Sequence, residues 1–205
     1  MTADIEHTLR GLTKFHYPRY GELPDDLVFL DAIVKLVNES HKPIPFEMRK
    51  NSKLFTSSMA SNYIKQGLTP PPVGKKYTRD HICRIYFASM MKLVFSTDSV
   101  LALTNKLFTE DNVASVNDAL AETFEHSIGC YAVYGLAALE GVEEVEEKGG
   151  RRRIANELNY GKMLEDEPWC DLEHDVFMLV NFVADTFASK AVSVAMLGGK
   201  PFEEQ

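Results

Sequence analysis

The chain has 205 residues, of which 45% are apolar and 25% charged, the balance of a soluble globular protein with one or two domains and ample material for a core. Three widely spaced cysteines, Cys83, Cys130 and Cys170, exclude a disulfide scaffold and point to reduced thiols in a cytoplasm. The net charge of −8 argues, taken as a bulk figure, against nucleic acid as a partner.

In chain order, the opening MTADIEHTLRG lacks the apolar run of a signal peptide. Residues 1 to 22 are poorly patterned, with Gly11 and Gly21 bracketing Phe15, Tyr17 and Tyr20, aromatics expected to pin this arm to the body. A helix is predicted next: Pro24 suits a first turn, Asp25 and Asp26 favour the positive end of its dipole, and Leu27, Leu30, Ile33 or Val34, and Val37 form one face. His41 to Pro45 breaks it, and Phe46 to Lys50 reads as a short helix with Leu54 and Phe55 anchoring a turn. The stretch from Phe55 to Thr78 is the most informative. Thr56 or Ser57 caps a helix on which Met59, Tyr63 and Ile64 recur. Gly67 is expected as a left-handed C-cap, and Pro70, Pro71 and Pro72 forbid a restart. Val73 to Tyr77 has the make-up of a tight basic hairpin. Thr78 caps a helix with the face Ile82, Ile85, Tyr86, Met90, Leu93 and Val94, followed by a helix from Thr97 to Leu107.

Residues 108 to 114 read as a boundary, and the second half as helical throughout. Val116 to Leu139 is one helix. Glu143 to Glu147 and Gly149 to Arg153 form a charged break, Ile154 to Leu164 a short helix. The last helix, from about Asp171 to Leu197, carries Phe177, Val180, Ala184, Phe187, Ala191 and Val194 on a stripe and stops at Gly198 to Pro201. That stripe is either a dimer surface or the domain's own core. The longest uninterrupted apolar stretch, Cys130 to Leu139, is too short to span a bilayer.

The charge is unevenly spread. Between Glu47 and Lys92 stand Arg49, Lys50, Lys53, Lys65, Lys75, Lys76, Arg79, Arg84 and Lys92, opposed by Glu47 and Asp80, whereas the acidity lies after residue 100. Beyond a Debye length of roughly 8 Å the two fields are largely screened from each other. A basic head can therefore meet DNA while an acidic body stays in solvent.

The order helix, Gly67-Leu68, proline, basic-x-Tyr77, capped helix resembles the winged helix-turn-helix of the MerR group of transcription regulators. Tyr63 stands four residues before the Gly-Leu as that group's recognition-helix Tyr does; Lys75-Lys76-Tyr77 takes the place of the wing's Arg-x-Tyr, and Phe95-Ser96-Thr97-Asp98 fits the start of its later short helix. The three prolines and KKYTRDHI are more similar still to a family of small bacterial proteins known as domain of unknown function 1836, thought to share that head. The resemblance covers roughly residues 45 to 108 and implies a DNA-binding head. Ser61 stands where MerR proteins usually have Arg, and Lys75 replaces the wing Arg, so phosphate contacts do not transfer one for one.

On these grounds Ser57, Ser58, Ser61, Asn62 and Lys65 are expected to face DNA, Asn62 pairing with a base and Ser57, Ser61 and Lys65 with phosphates. Tyr63 either reaches a phosphate with its hydroxyl or packs in the core. Lys75, Lys76 and Arg79 suit phosphate contact, with Tyr77 completing the wing motif. The competing reading of the polar α3 residues and of Lys75, Lys76 and Arg79 is a solvated face. His126 with Cys130 and Cys170 with His174, each pair four apart, are minor candidates for a zinc-like site against the commoner reading as core residues. The triplet Arg151, Arg152, Arg153 is best read as pairing with the acidic run before it. No phosphate loop, nucleophile elbow, HExxH or Glu-x-x-His di-iron signature occurs, so neither an enzyme nor a cofactor is expected.

The sequence therefore predicts a mainly α protein: residues 1–108 form an arm, a helix and a winged helix-turn-helix head with one small β-hairpin wing, and residues 109–205 an all-helical dimerisation or effector domain. The expected function is sequence-specific binding of double-stranded DNA by a cytoplasmic, homodimeric bacterial repressor or autoregulator, with a small-molecule effector and no membrane partner. The alternatives are a winged-helix module for a protein partner and a helical protein binding a metal or small ligand.

Overall fold

The computed structural model describes residues 2–41, 55–139, 144–147, 150–153 and 174–197. Helix α1 spans Thr2–Leu12, where the sequence showed no clear pattern. Its apolar content is thin, but Leu9 and Leu12 fall on one face and are buried against the long helices α6, Val113–Leu139, and α7, His174–Met196. Tertiary burial, not propensity, makes this helix.

The arm then crosses α6 as expected from its aromatics. Tyr17 stacks on Phe124 with centroids 5.5 Å apart and meets Tyr86 edge-on at 4.5 Å, and Phe15 meets Phe187 at 5.3 Å. Polar clamps reinforce it. Glu125 accepts from the Tyr17 N–H (2.9 Å) and Arg19 Nη2 (2.7 Å), with His16 Nδ1 at 2.8 Å. Asp118 accepts from the Tyr20 N–H at 2.6 Å.

The helix predicted from Pro24 begins later. Val28–Phe29 is a strand, β1, and α2 runs Leu30–Ser40 with Ile33, Val34 and Val37 buried. Pairing with β2, Lys76–Tyr77, draws Val28 and Phe29 out of the helix: Val28 lies opposite Tyr77 and Phe29 opposite Lys76, antiparallel. The helix read over Phe46 to Lys50 and its neighbour Leu54 lie outside the described residues. Helices α3, Ser57–Lys65, α4, Arg79–Met91, and α5, Thr97–Leu107, follow. Residues 81 to 91 of α4 are all buried, so this helix is the spine of the head; Leu93 is half-buried, but Val94, expected on the same face, is 40% exposed.

The expected boundary at 108–114 is a packed corner. Phe108 is buried against Phe87 (5.6 Å), and Arg84 Nη2 donates to the carbonyls of Phe108 and Thr109, both at 3.1 Å. One continuous buried core runs from Leu9 to Ala191 across it. The division drawn at residue 108 thus places α1 with the head, whereas its contacts are with α6 and α7.

The second half is not helical throughout. The charged break forms a hairpin, β3 (Glu144–Glu147) with β4 (Gly150–Arg153), in a register that sets Glu144 opposite Arg153 and Glu146 opposite Arg151. The segments Ile154 to Leu164 and Gly198 to Pro201 lie outside the described residues.

Ser127 Oγ bonds Asn181 Oδ1, and Ser189 Oγ lies 3.3 Å from the Tyr131 hydroxyl, so α6 and α7 run side by side in the same direction. The α7 stripe is largely the chain's own core: Phe177, Val180, Ala184, Phe187 and Ala191 are buried, and Val194 is partly so. Val176–Met196, with mean hydropathy 1.3, is long and apolar enough to cross a membrane, and half of that window is buried inside the fold.

Candidate nucleic-acid interface

Helix α3 is defined at both ends by its own sequence. Thr56, rather than Ser57, is the N-cap, its hydroxyl accepting from the Met59 N–H at 3.2 Å. At the other end Gly67 has φ +86°, its N–H bonds the Ile64 carbonyl at 3.1 Å, and the Leu68 N–H bonds that of Tyr63 at 3.0 Å. This is the Schellman arrangement, which needs a residue in the left-handed region, and buried Leu68 closes it. Helical periodicity then turns Ala60 and Tyr63 inward. Ser57, Ser58, Asn62 and Lys65 are exposed and Ser61 half-buried.

Two residues that the sequence did not single out place this helix. Asn38 on α2 is a clamp: its Nδ2 donates to the carbonyls of Val34 (2.7 Å) and Phe55 (2.8 Å), and its Oδ1 accepts from the Phe55 N–H at 3.1 Å. Asp31, in the first turn of α2, accepts from the Ser57 hydroxyl at 3.1 Å. A single Asn within an amphipathic helix gives no local signal of such a role.

The wing is a two-residue turn. Val73 and Lys76 exchange both backbone hydrogen bonds (3.0 and 3.1 Å) around Gly74 at φ +66° and Lys75, a conformation glycine adopts without strain. His81 fixes its base. Thr78 N–H donates to His81 Nδ1 (3.1 Å), so Nε2 carries the proton and donates to the Pro70 carbonyl at 3.1 Å. The proline run is thereby tied to the start of α4.

Charge is distributed more narrowly than a residue count implies. Lys65, Lys75 and Lys76 are exposed, as is Lys35 on α2. Arg79, expected at a phosphate, is instead enclosed: its side chain is 18% exposed, pairs with Asp25 and lies over the Tyr20 ring at 4.9 Å. The Tyr20 hydroxyl donates to Asp80 at 2.8 Å, a bond that raises its pKa to about 12. Arg84 is buried, and Lys92 Nζ lies 3.4 Å from the Phe95 carbonyl. Arg49, Lys50 and Lys53 lie outside the described residues.

Tyr63 and Tyr77 also face inward. Tyr63 is 2% exposed and its hydroxyl is buried without a hydrogen-bond partner among the described residues; burial pushes its pKa up to about 12. Tyr77 is buried with its ring 5.6 Å from that of His81. Both act as core residues, because each stands on the packed face of its element.

The exposed parts adjoin. Lys76 Nζ lies 5.4 Å from the Phe29 ring centroid, Phe29 immediately precedes α2, and Asp31 two residues on holds Ser57. The wing and the first turn of α3 are therefore joined across the start of α2 on one surface.

Residues 18–126 match the family described as Domain of unknown function (DUF1836), more than half of the chain. The chain belongs to this family. The DUF1836 segment takes in Arg19 and Tyr20 of the arm with their partners Glu125 and Asp118, then β1, α2, α3, the wing, α4, α5 and the first half of α6, and leaves out α1, His16, Tyr17 and α7. No curated protein and no solved structure matches the chain significantly.

Outside the DUF1836 segment, Ile5, Leu9, Tyr131, Tyr134, Gly135, Leu139 and Val192 line an apolar cleft of about 310 Å³ between α1, α6 and α7. Gly135 permits this approach, since a Cβ there would lie 2.8 Å from Leu9 Cδ2. His126 Nε2 is 3.4 Å from Cys130 Sγ, but Cys170 and the His174 side chain lie outside the described residues. No group of three potential metal ligands occurs among the described residues. Cys83 is buried, which pushes its thiol pKa well up and leaves it a core residue.

Proposed function

We propose that this DUF1836 protein is a sequence-specific DNA-binding regulator whose head is a MerR-like winged helix-turn-helix. In this reading α3 is the recognition helix and Val73 to Tyr77 the wing, while Phe46 to Lys50, read from the sequence as the first, short helix of the helix-turn-helix, lie outside the described residues. One observation supports it: the lysine-bearing wing and the N-terminus of α3 adjoin at the start of α2, Lys76 lying over Phe29 and Ser57 bonded to Asp31, while Ala60 and Tyr63 pack α3 on the core. A helix end in the major groove presents short polar side chains to base edges, which gives Asn62 the base-reading role and Ser57, Ser58, Ser61 and Lys65 the flanking contacts. Lys75 and Lys76 supply phosphate attraction. Asp31 sits at the α3 N-terminus and opposes it locally, so binding draws on the wing more than on the helix end.

Two-fold pairing would let such a small head span two half-sites about one helical turn apart. Since the α7 stripe is largely used by the core, pairing falls to surfaces still exposed, such as that around Phe182 and Val133. The apolar cleft suits a small apolar effector, its volume being at the lower end of ligand sites. Retention of the full chain on DNA from the source genome, measured against salt, tests the reading. Lys75→Ala and Lys76→Ala should each reduce the slope of log affinity against log salt by about one. Absence of retention at low salt refutes it.

A further inference from the structure

The two-residue strands β1 and β2 alternate cleanly. Val28 and Tyr77 point inward, while Phe29 and Lys76, directly opposite one another, point out. Phe29 is 58% exposed and Val73, bridged to Lys76 across the turn, 60%. An exposed apolar side chain is ordinary by itself; what sets Phe29 apart is that it shares a face with Lys76 and Val73. Its ring lies under the ammonium of Lys76, the residue after the exposed Lys75 of the wing turn.

We infer that Phe29 and Val73 form an apolar edge that packs against sugar rings and base edges in the minor groove of a DNA duplex, with Lys75 and Lys76 on the phosphates at its rim. This rests on the DNA-binding reading and extends it to a residue outside the helix and the hairpin. A duplex fits this edge better than a protein does. The apolar part is a few side chains, far short of the roughly 800 Å² per partner of a stable protein interface. Its neighbours on the wing are cationic. Of the nearby carboxylates, Asp25 is paired with Arg79, and Asp31, which accepts from the Ser57 hydroxyl, keeps its charge on the α3 side of the edge. Asp26 stands exposed beside Leu27, which confines the edge to Phe29 and Val73. Apolar side chains entering a minor groove are an established way of gripping bent or widened DNA. Two residues on from Phe29, Asp31 accepts from Ser57, which ties this edge to the N-terminus of α3.

An apolar contact releases no counterions, which separates it from the lysines. Binding of the full chain to a short labelled A·T-rich duplex should weaken about tenfold in Phe29→Ala with the salt slope unchanged, and Phe29→Leu should restore most of it. Lys76→Ala should lower the slope. Netropsin, which occupies the minor groove of that duplex, should compete with the wild type and little with Phe29→Ala. Val73→Ser serves as a second variant, and circular dichroism confirms that each is folded. If the wild type binds and Phe29→Ala binds equally well, the inference is overturned and the patch is left to a protein partner. A lowered salt slope in Phe29→Ala also overturns it, since the ring would then act by placing Lys76. If the wild type binds no duplex at low salt, the regulator reading fails and the inference with it.

Discussion

Acid should loosen the junction between head and helical base through one side chain, His41. It directly follows α2 and is fully buried, with Phe15 of the arm, Tyr86 of α4 and Phe187 of α7 around its ring at 5.7 to 5.9 Å. Its Nδ1–H donates to the Val37 carbonyl at 2.6 Å, and Nε2 lies 3.1 Å from Met90 Sδ. Burial disfavours the imidazolium and lowers the pKa to about 4, the Val37 bond opposing it in part. The unfolded chain binds a proton near the ordinary value of about 6.5, so between those two values the unfolded state carries more protons than the folded one. Stability is therefore full above about pH 6.5 and is lost as pH falls towards 4. Integrating over that window gives a loss of about 2 kcal/mol between pH 7 and pH 5, approaching about 3 kcal/mol below pH 4. For a chain of this size that is a fall in Tm of roughly 4–8 °C at pH 5. Urea unfolding followed by circular dichroism, on wild type and His41→Phe at both pH values, isolates the effect. The difference in stability between the two proteins should shift by about 2 kcal/mol from pH 7 to pH 5 in favour of the variant. An unchanged difference would refute the reasoning, whatever the absolute stability of His41→Phe.

Asn38→Ala removes the clamp on Phe55 and leaves its backbone groups without the side chain that satisfies them. A cost of about 2–3 kcal/mol in urea unfolding is expected, with a larger relative loss of DNA retention than of stability, because the segment entering α3 is released. Gly129 lies within α6 with nothing near the position of a Cβ. Gly129→Ala should therefore stabilise by up to about 1 kcal/mol, and a fall in Tm would contradict the open space there. Gly135→Ala meets the end of the Leu9 side chain at 2.8 Å, but Leu9 borders the apolar cleft and can give way into it. Stability should change by less than about 1 kcal/mol, since helix propensity and crowding oppose. Uptake of an apolar fluorescent probe by the cleft should fall; unchanged uptake would show that the probe sits elsewhere.

The local punctuation of the chain was legible. Thr56, Gly67, the prolines, Gly74 and Thr78 each set a backbone conformation or a hydrogen bond within a few residues, so the limits of α3, the wing turn and the start of α4 could be read without knowledge of the rest. The resemblance to the family was read from that same stretch, whereas the family match itself spans residues 18–126. The site was legible only in its exposed part. Ser57, Ser58, Asn62, Lys65, Lys75 and Lys76 lie on the surface as their spacing suggested, whereas Tyr63, Tyr77 and Arg79 are held by the fold. A motif records residue type and spacing, and an amphipathic Tyr or Arg obeys the same spacing whether it faces solvent or a partner inside.

Sequence by itself determined the helical class, the capped elements of the head and the place of the charge, because these follow from interactions between near neighbours. Tertiary structure alone decided that residues 2 to 12 form a helix against α6 and α7, that Val28 and Phe29 leave α2 to pair with the wing, and that head and base share one core. Those outcomes depend on apolar area and backbone hydrogen bonds supplied by residues 47 and 49 positions away for the strand pair and more than 100 away for α1, and no local pattern encodes a partner at that distance.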